Sequence, residues 1–154
     1  MSKVSEGTEH CYIKEGKMAL PNQYFAGRVG SKFIISMRDS GKILGVRCEK
    51  CAKVYVPPLE YCPRCMSKLD ERWVELSNTG EVKGYTVVRY YDKHLPRKAP
   101  YILALVKLEG SDTPFPHILE GIDPKDVKNG MKVRAVFAKE TTNTILDLDH
   151  FEPA

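Results

Sequence analysis

Four cysteines stand as two matched pairs, Cys48-x2-Cys51 and Cys62-x2-Cys65, with ten residues between the pairs. A Cys-x2-Cys turn presents two thiolates along one edge of a tetrahedron, and two such turns close a four-coordinate site for a soft cation. The pattern predicts one zinc ion held by Cys48, Cys51, Cys62 and Cys65. With all four positions filled by protein sulfur, no water remains on the metal, so the site is expected to be structural. Spacing alone leaves room for rubredoxin-type iron, which takes the same ligands. The competing readings are two disulfides or four free thiols. A reducing compartment argues against the first and the matched spacing against the second.

The other chemistry-bearing residues are less organised. Cys11 follows His10, but sequence neighbours point in different directions, so it reads as an incidental thiol rather than an activated nucleophile. No Gly-x-Ser-x-Gly elbow, phosphate-cradling loop or His-Glu-x-x-His pair is present. The stretch from Tyr85 to Lys107 carries Arg89, Lys93, Arg97, Lys98 and Lys107 among Tyr85, Tyr90, Tyr91, His94 and Tyr101, opposed only by Asp92. Cations interleaved with rings suit a phosphate-bearing ligand or stacked bases. The plainer reading is a solvated hairpin tip.

The chain that positions these residues has 154 residues and a net charge of +4. All of that excess lies in residues 1–77, with 13 basic against 9 acidic residues, while residues 78–154 hold 11 of each. This balance is weak for a dedicated nucleic-acid binder. The first 30 residues show no apolar signal core, and the longest apolar run, Tyr101–Val106, is far short of the roughly 20 residues that span a membrane. A cytoplasmic location is expected.

Three regions are expected. Residues 1–46 form a polar tail followed by a helical segment. Phe33, Ile34 and Met37 share a face over Ser31–Ser40, Ser31 is placed to cap it, Gly41 to end it, and a second helix is read near Pro21–Val29. Too short for a core of its own, this segment makes Phe33, Ile34 and Met37 the candidates for a partner interface. Residues 47–76 form the metal-held ribbon. Residues 77–154 carry five β-segments, at 81–91, 101–109, 115–121, 132–139 and 144–151, with a helical turn expected between Asp123 and Gly130; these suit a small closed barrel. Trp73 falls between ribbon and barrel and is expected to be buried there with its indole N–H bonded. The fold class is therefore mostly β, with short N-terminal helices, a metal-held ribbon and a small five-stranded closed barrel.

In this order, Gly45-Val46-Arg47-Cys48, Cys51, Pro57-Pro58, Cys62-Pro63-x-Cys65, Trp73, Gly80, Tyr85–Val88, Pro100-Tyr101, Val106–Gly110, Gly130 and Val133 resemble the DUF35 family over roughly residues 24–152. Ala52 stands where such knuckles often carry glycine, and Asn78-Thr79-Gly80 replaces a more glycine-rich joint. The resemblance implies a helical segment, a rubredoxin-like zinc ribbon and an OB-fold. It also implies an accessory, non-catalytic role beside a thiolase-fold subunit, with coenzyme A or acyl-CoA as ligand. Two branches come nearest, one serving benzoylsuccinyl-CoA thiolase of anaerobic toluene breakdown and one serving acetoacetyl-CoA and hydroxymethylglutaryl-CoA synthesis. On that footing Arg89, Lys93, Arg97, Lys98 and Tyr101 are the candidate CoA contacts, and Tyr24 and Phe33 could line a pantetheine channel, although helix packing explains them as well. The alternative is an OB-fold module for single-stranded nucleic acid.

Overall fold

The computed structural model describes Gly16 and residues 24–69 and 72–154; Cys11, the polar tail and the start of the second expected helix lie outside these. Among the described residues one α-helix is found, α1 at Gly27–Ser40. It starts four residues before Ser31, on Ala26, which makes no side-chain cap. Gly41 ends it as expected, at φ 59°, with its amide bonded to the Met37 carbonyl at 3.1 Å.

A three-stranded sheet follows: β1 Leu44–Arg47 in the centre, β2 Val54–Tyr55 on one side and β3 Trp73–Glu75 on the other, both antiparallel to β1. The ribbon therefore starts at Leu44, inside the region read as N-terminal. The barrel consists of β4 Thr79–Val88, β5 Tyr101–Leu108, β6 Phe115–Leu119, β7 Lys132–Phe137 and β8 Leu148–Pro153, closed in the order β4-β5-β6-β8-β7. β6 and β8 meet in parallel and every other pair is antiparallel, which is the closed OB-fold topology. Residues 123–130 form turns instead of the expected helical turn, and residues 145–147 form a short 3-10 helix ahead of β8. Among the described residues no helix is long and apolar enough to cross a membrane.

The continuous apolar run of β5 divides by strand alternation. Ile102, Ala104, Val106 and Leu108 point into the barrel, while Leu103 and Leu105 face out. Phe33, Met37 and Ile43 join this same core. Phe33 meets Phe115 edge-on with ring centroids 6.1 Å apart, and Phe115 stacks on His117 at 5.5 Å. His117 is buried, donates Nε2–H to the Leu148 carbonyl at 2.5 Å, and is held below the usual imidazole range by that burial.

The ribbon is seated on the barrel by the turn after β5. Asp112 binds both backbone groups of Val54, receiving its N–H at 2.9 Å and donating its own amide to the Val54 carbonyl at 2.8 Å. It also pairs with Lys53 at 2.7 Å. The Thr113 hydroxyl accepts from the Val56 amide at 2.8 Å and donates to the Val56 carbonyl at 3.0 Å. The outer edge of β2 is thus covered rather than left to pair with another chain.

Gly80 shows why one position admits no side chain. It sits between Leu108 of β5 and Val133 of β7, and a Cβ there would lie 2.5 Å from the Lys107 carbonyl oxygen and 3.0 Å from Leu108 Cα. Both are backbone atoms of a paired strand and cannot step aside. Gly80→Ala is expected to cost about 1–3 kcal/mol or more, read as a loss of roughly 2–4 °C in melting temperature per kcal/mol. Gly84→Ala, with nothing nearer than 3.9 Å, should stay within about 0.5 kcal/mol of wild type. Equal melting points for the two variants would contradict this packing.

Candidate metal centre

The end of β1 delivers Cys48, and the turn to β2 delivers Cys51. The second turn, after Pro57-Pro58, delivers Cys62 and Cys65. Each turn is closed by backbone bonds: Cys48 N–H to Lys53 O at 2.8 Å, and Cys62 N–H to Ser67 O at 2.9 Å. The residue after each second cysteine is left-handed without being glycine, Ala52 at φ 53° and Met66 at φ 57°. The knuckle forms despite that choice, at about 1–2 kcal/mol per residue.

The four sulfurs all lie within 4.8 Å of one another. Cys48 and Cys65 Sγ are 3.6 Å apart and Cys62 and Cys51 Sγ 4.0 Å. A tetrahedron with metal–sulfur bonds of about 2.3 Å has edges of about 3.8 Å, so the cage has the right size for zinc. Cys48 and Cys62 are buried, and Cys51 and Cys65 are partly exposed. Val46, Tyr55 and Leu69 complete the buried cluster around them.

Two hydroxyls that the spacing motif did not reveal support the sulfurs. The Tyr55 hydroxyl lies 3.3 Å from Cys62 Sγ, and Ser67 Oγ lies 3.0 Å from Cys65 and 3.5 Å from Cys48. Burial opposes ionisation of Cys62, but hydrogen bonds from Tyr55 and from the Cys65 and Arg64 amides outweigh it and draw the thiol down to about 6. The same contact, with burial, pushes the Tyr55 phenol up to about 12, so Tyr55 remains a donor. The Ser67 hydroxyl and amide lower Cys65. Hydrogen bonding to Cys65, followed by burial, pushes Cys51 up to about 12. Cys51 therefore yields its proton only against a cation, so metal binding releases protons.

Trp73, placed by the sequence at the ribbon–barrel joint, packs instead on the cysteine cluster. Lys32 of α1 lies over its ring, 4.5 Å from the centroid. It ties helix to ribbon. Its indole N–H is buried but has no partner among the described residues, contrary to the expectation that it would be bonded.

The other candidate residues separate. Phe33 and Met37 are 3% and 2% exposed and belong to the barrel core, and Ile34 packs against that core from a partly buried position. The partner-interface expectation is corrected for Phe33 and Met37: the barrel supplies the apolar surface that a short helix lacks, and these side chains are spent on it. The helix shows Ile35 to solvent instead, and Tyr24 lies exposed ahead of it. Arg97, Lys98 and Tyr101 share a groove of about 390 Å³ with Pro100, Gly121 and Ile122. Arg89 and Lys93 are exposed away from it. Arg97 is already committed to Glu120, at 2.9 Å, and to Asp149, which corrects its reading as an anion ligand.

Comparison with known proteins agrees with this architecture. Residues 36–70 match the family model for the ChsH2 rubredoxin-like zinc ribbon domain, and residues 73–138 match that for the ChsH2 C-terminal OB-fold domain. A DUF35 domain-containing scaffold protein of Methanocaldococcus jannaschii is 38% identical over 97 residues, 63% of this chain and 68% of that one. A protein of the same description from Pyrococcus furiosus is 29% identical over 109 residues, 71% and 78% of the two chains. Among solved structures, a chain of the Ltp2-ChsH2(DUF35) aldolase superposes with a TM-score of 0.60 at 27% identity, covering 80% of this chain and 93% of that one. A DUF35 protein of unknown function from Sulfolobus solfataricus gives 0.61 at 25% identity, with coverage of 83% and 87%. With its zinc-binding ribbon and five-stranded OB-fold in this order, the chain belongs to the DUF35 family.

Proposed function

We propose that this chain is a non-catalytic, zinc-containing accessory subunit that helps a thiolase-fold enzyme hold acyl-CoA and keeps that enzyme in a hetero-oligomer. The observation that carries the proposal is the superposition on a DUF35 chain of an aldolase complex, covering most of both chains. The chemistry of the described residues supports it. All four described cysteines are gathered at the metal, which leaves no thiol among them for the nucleophile that a thiolase requires. Lys98 and Tyr101 offer a cation and a ring at one groove, as a nucleotide-bearing thioester would need.

Within this reading the acyl substrate is benzoylsuccinyl-CoA, with the acetoacetyl-CoA and hydroxymethylglutaryl-CoA pair as the alternative. Co-expression with a thiolase-fold protein encoded beside it should give a complex that survives gel filtration. Omitting this chain should lower thiolytic activity by about tenfold or more. A thiolase-fold protein fully active alone would overturn the proposal, and assays with the two sets of acyl-CoA would choose between the branches.

A second reading rests on Tyr90 and Tyr91, 66% and 78% exposed beside Arg89 and Lys93: rings and cations of this kind stack on single-stranded nucleic acid. Salt-dependent retardation of an oligonucleotide supports that reading, and no retardation at low salt removes it.

A further inference from the structure

Residues 89–100 connect β4 to β5 in one twelve-residue span, a length at which loops tend to be either functional or loose. Asp92 closes a turn within the span, accepting from the His94 amide at 2.8 Å and, through its carbonyl, from the Leu95 amide at 3.2 Å. Among the described residues, every hydrogen bond or ion pair from this span to another part of the chain is made by Arg97. Its Nε donates to Glu120 Oε1 at 2.9 Å, just beyond β6. Its Nη2 donates to the Asp149 carboxylate and, at 3.3 Å, to the Asp149 carbonyl, both on β8. His150 Nδ1 donates to the other Asp149 oxygen at 2.8 Å.

These contacts cross the groove. Arg97, Lys98 and Tyr101 form one wall and Glu120, Gly121 and Ile122 the other, so the Arg97–Glu120 pair joins wall to wall. The guanidinium side chain is 27% exposed and faces two carboxylates. Turning it toward an external anion would leave Glu120 and Asp149 without their counter-charge, an unfavourable exchange in a partly desolvated site. Lys98 is exposed and has no ion pair among the described residues, so it remains free for that task.

We infer that Arg97 is a positioning residue: it braces residues 89–100 across the groove, fixes the separation of the two walls and holds Lys98 and Tyr101 at the rim, while itself contacting no ligand. That the groove receives an acyl-CoA rests on the proposed function; the brace does not.

The test uses the full-length, zinc-loaded chain. In Arg97→Gln, backbone order parameters over residues 96–100 should fall from the rigid range of about 0.85 to below about 0.6. Tryptic cleavage after Lys93 and Lys98 should accelerate by about ten- to a hundredfold. Arg97→Lys keeps the charge without the two-pronged donor and should fall between. Lys98→Gln removes one tryptic site but should leave the order parameters and the rate of cleavage after Lys93 unchanged. Calorimetry with coenzyme A as the probe should show weaker binding in both Gln variants. Order parameters in Arg97→Gln equal to wild type would overturn the brace, as would loosening that spreads equally through the ribbon. Wild-type protein that binds no coenzyme A would overturn the ligand reading of the groove, and the mobility measurements would still decide the brace.

Discussion

Chelating the metal, or replacing Cys62 with serine, is expected to unfold residues 44–69 while the barrel of residues 79–153 stays folded. Apart from the seat of Val54 and Val56 on the barrel and their clasp by Asp112 and Thr113, the ribbon has little else to hold it. Its strands contain four, two and three residues, and its buried cluster is only Val46, Cys48, Tyr55, Cys62 and Leu69. A structural zinc contributes an apparent binding free energy of about 10–16 kcal/mol near neutral pH, well beyond what so small a cluster supplies. Cys62 is the most damaging of the four to lose. It is fully buried and is the sulfur that Tyr55 and two backbone amides favour as thiolate. The barrel core of Val82, Val106, Phe115, Val133, Leu148 and Phe151 also receives Val54 and Val56 of the ribbon, but the barrel closes on itself without ribbon strands. In a ¹⁵N correlation spectrum the signals of residues 44–69 should collapse to unfolded positions, while those of residues 79–153 move only near Asp112 and Thr113 and beneath Val54 and Val56, where the ribbon is seated. Retained ribbon signals in protein shown by elemental analysis to be metal-free would refute the metal's structural role. Because Cys51 holds its proton until a cation arrives, metal uptake should also acidify a weakly buffered solution.

The metal centre was legible in the sequence because its chemistry is local: each Cys-x2-Cys pair specifies half of a tetrahedron within one turn. The helix was legible from the spacing of Phe33 and Met37, and its end from Gly41, whose left-handed backbone suits glycine. Its start was not, because Ser31 looks like a cap while the helix begins on Ala26 with no side-chain cap. Around Thr144–Asp147 the alternation suggested strand. There the Thr144 hydroxyl accepts from the Leu146 amide at 3.2 Å, and Asp147 Oδ1 accepts from the Thr142 amide at 2.5 Å, so local polar bonds take the backbone out of the ladder. Least legible were the pairings across the fold. Arg97 meets Glu120 and Asp149 at separations of 23 and 52 residues, and Asp112 meets Val54 across 58. Composition displays such residues only as surplus charge. The basic stretch therefore read as one anion-binding surface, when its central arginine is neutralised within the fold.

Replacing Phe33 with alanine is expected to cost about 3–5 kcal/mol, the usual range for a buried aromatic. The sequence offered this side chain to a partner; the structure places it at 3% exposure, edge-on to Phe115, which packs in turn on His117 and Phe151. Truncation removes the ring's own burial and leaves a void that the closed barrel cannot collapse to fill, because Phe115 is held by β5 through its register with Val106. A small domain has only about 5–15 kcal/mol in all, so the variant should lose a large part of its stability, seen as a lower urea midpoint in zinc-saturated protein. Ile35→Ala, on the same helix but 45% exposed, is the matched control and should change little. A cost below about 1 kcal/mol for Phe33→Ala, where a buried ring must cost more, would mean that α1 is not seated on the barrel in solution. Phe33 and Met37 would then return to the surface as candidates for binding the catalytic subunit. A full cost fixes them in the core and leaves the docking of that subunit to the exposed faces of the ribbon, the barrel and the 89–100 span.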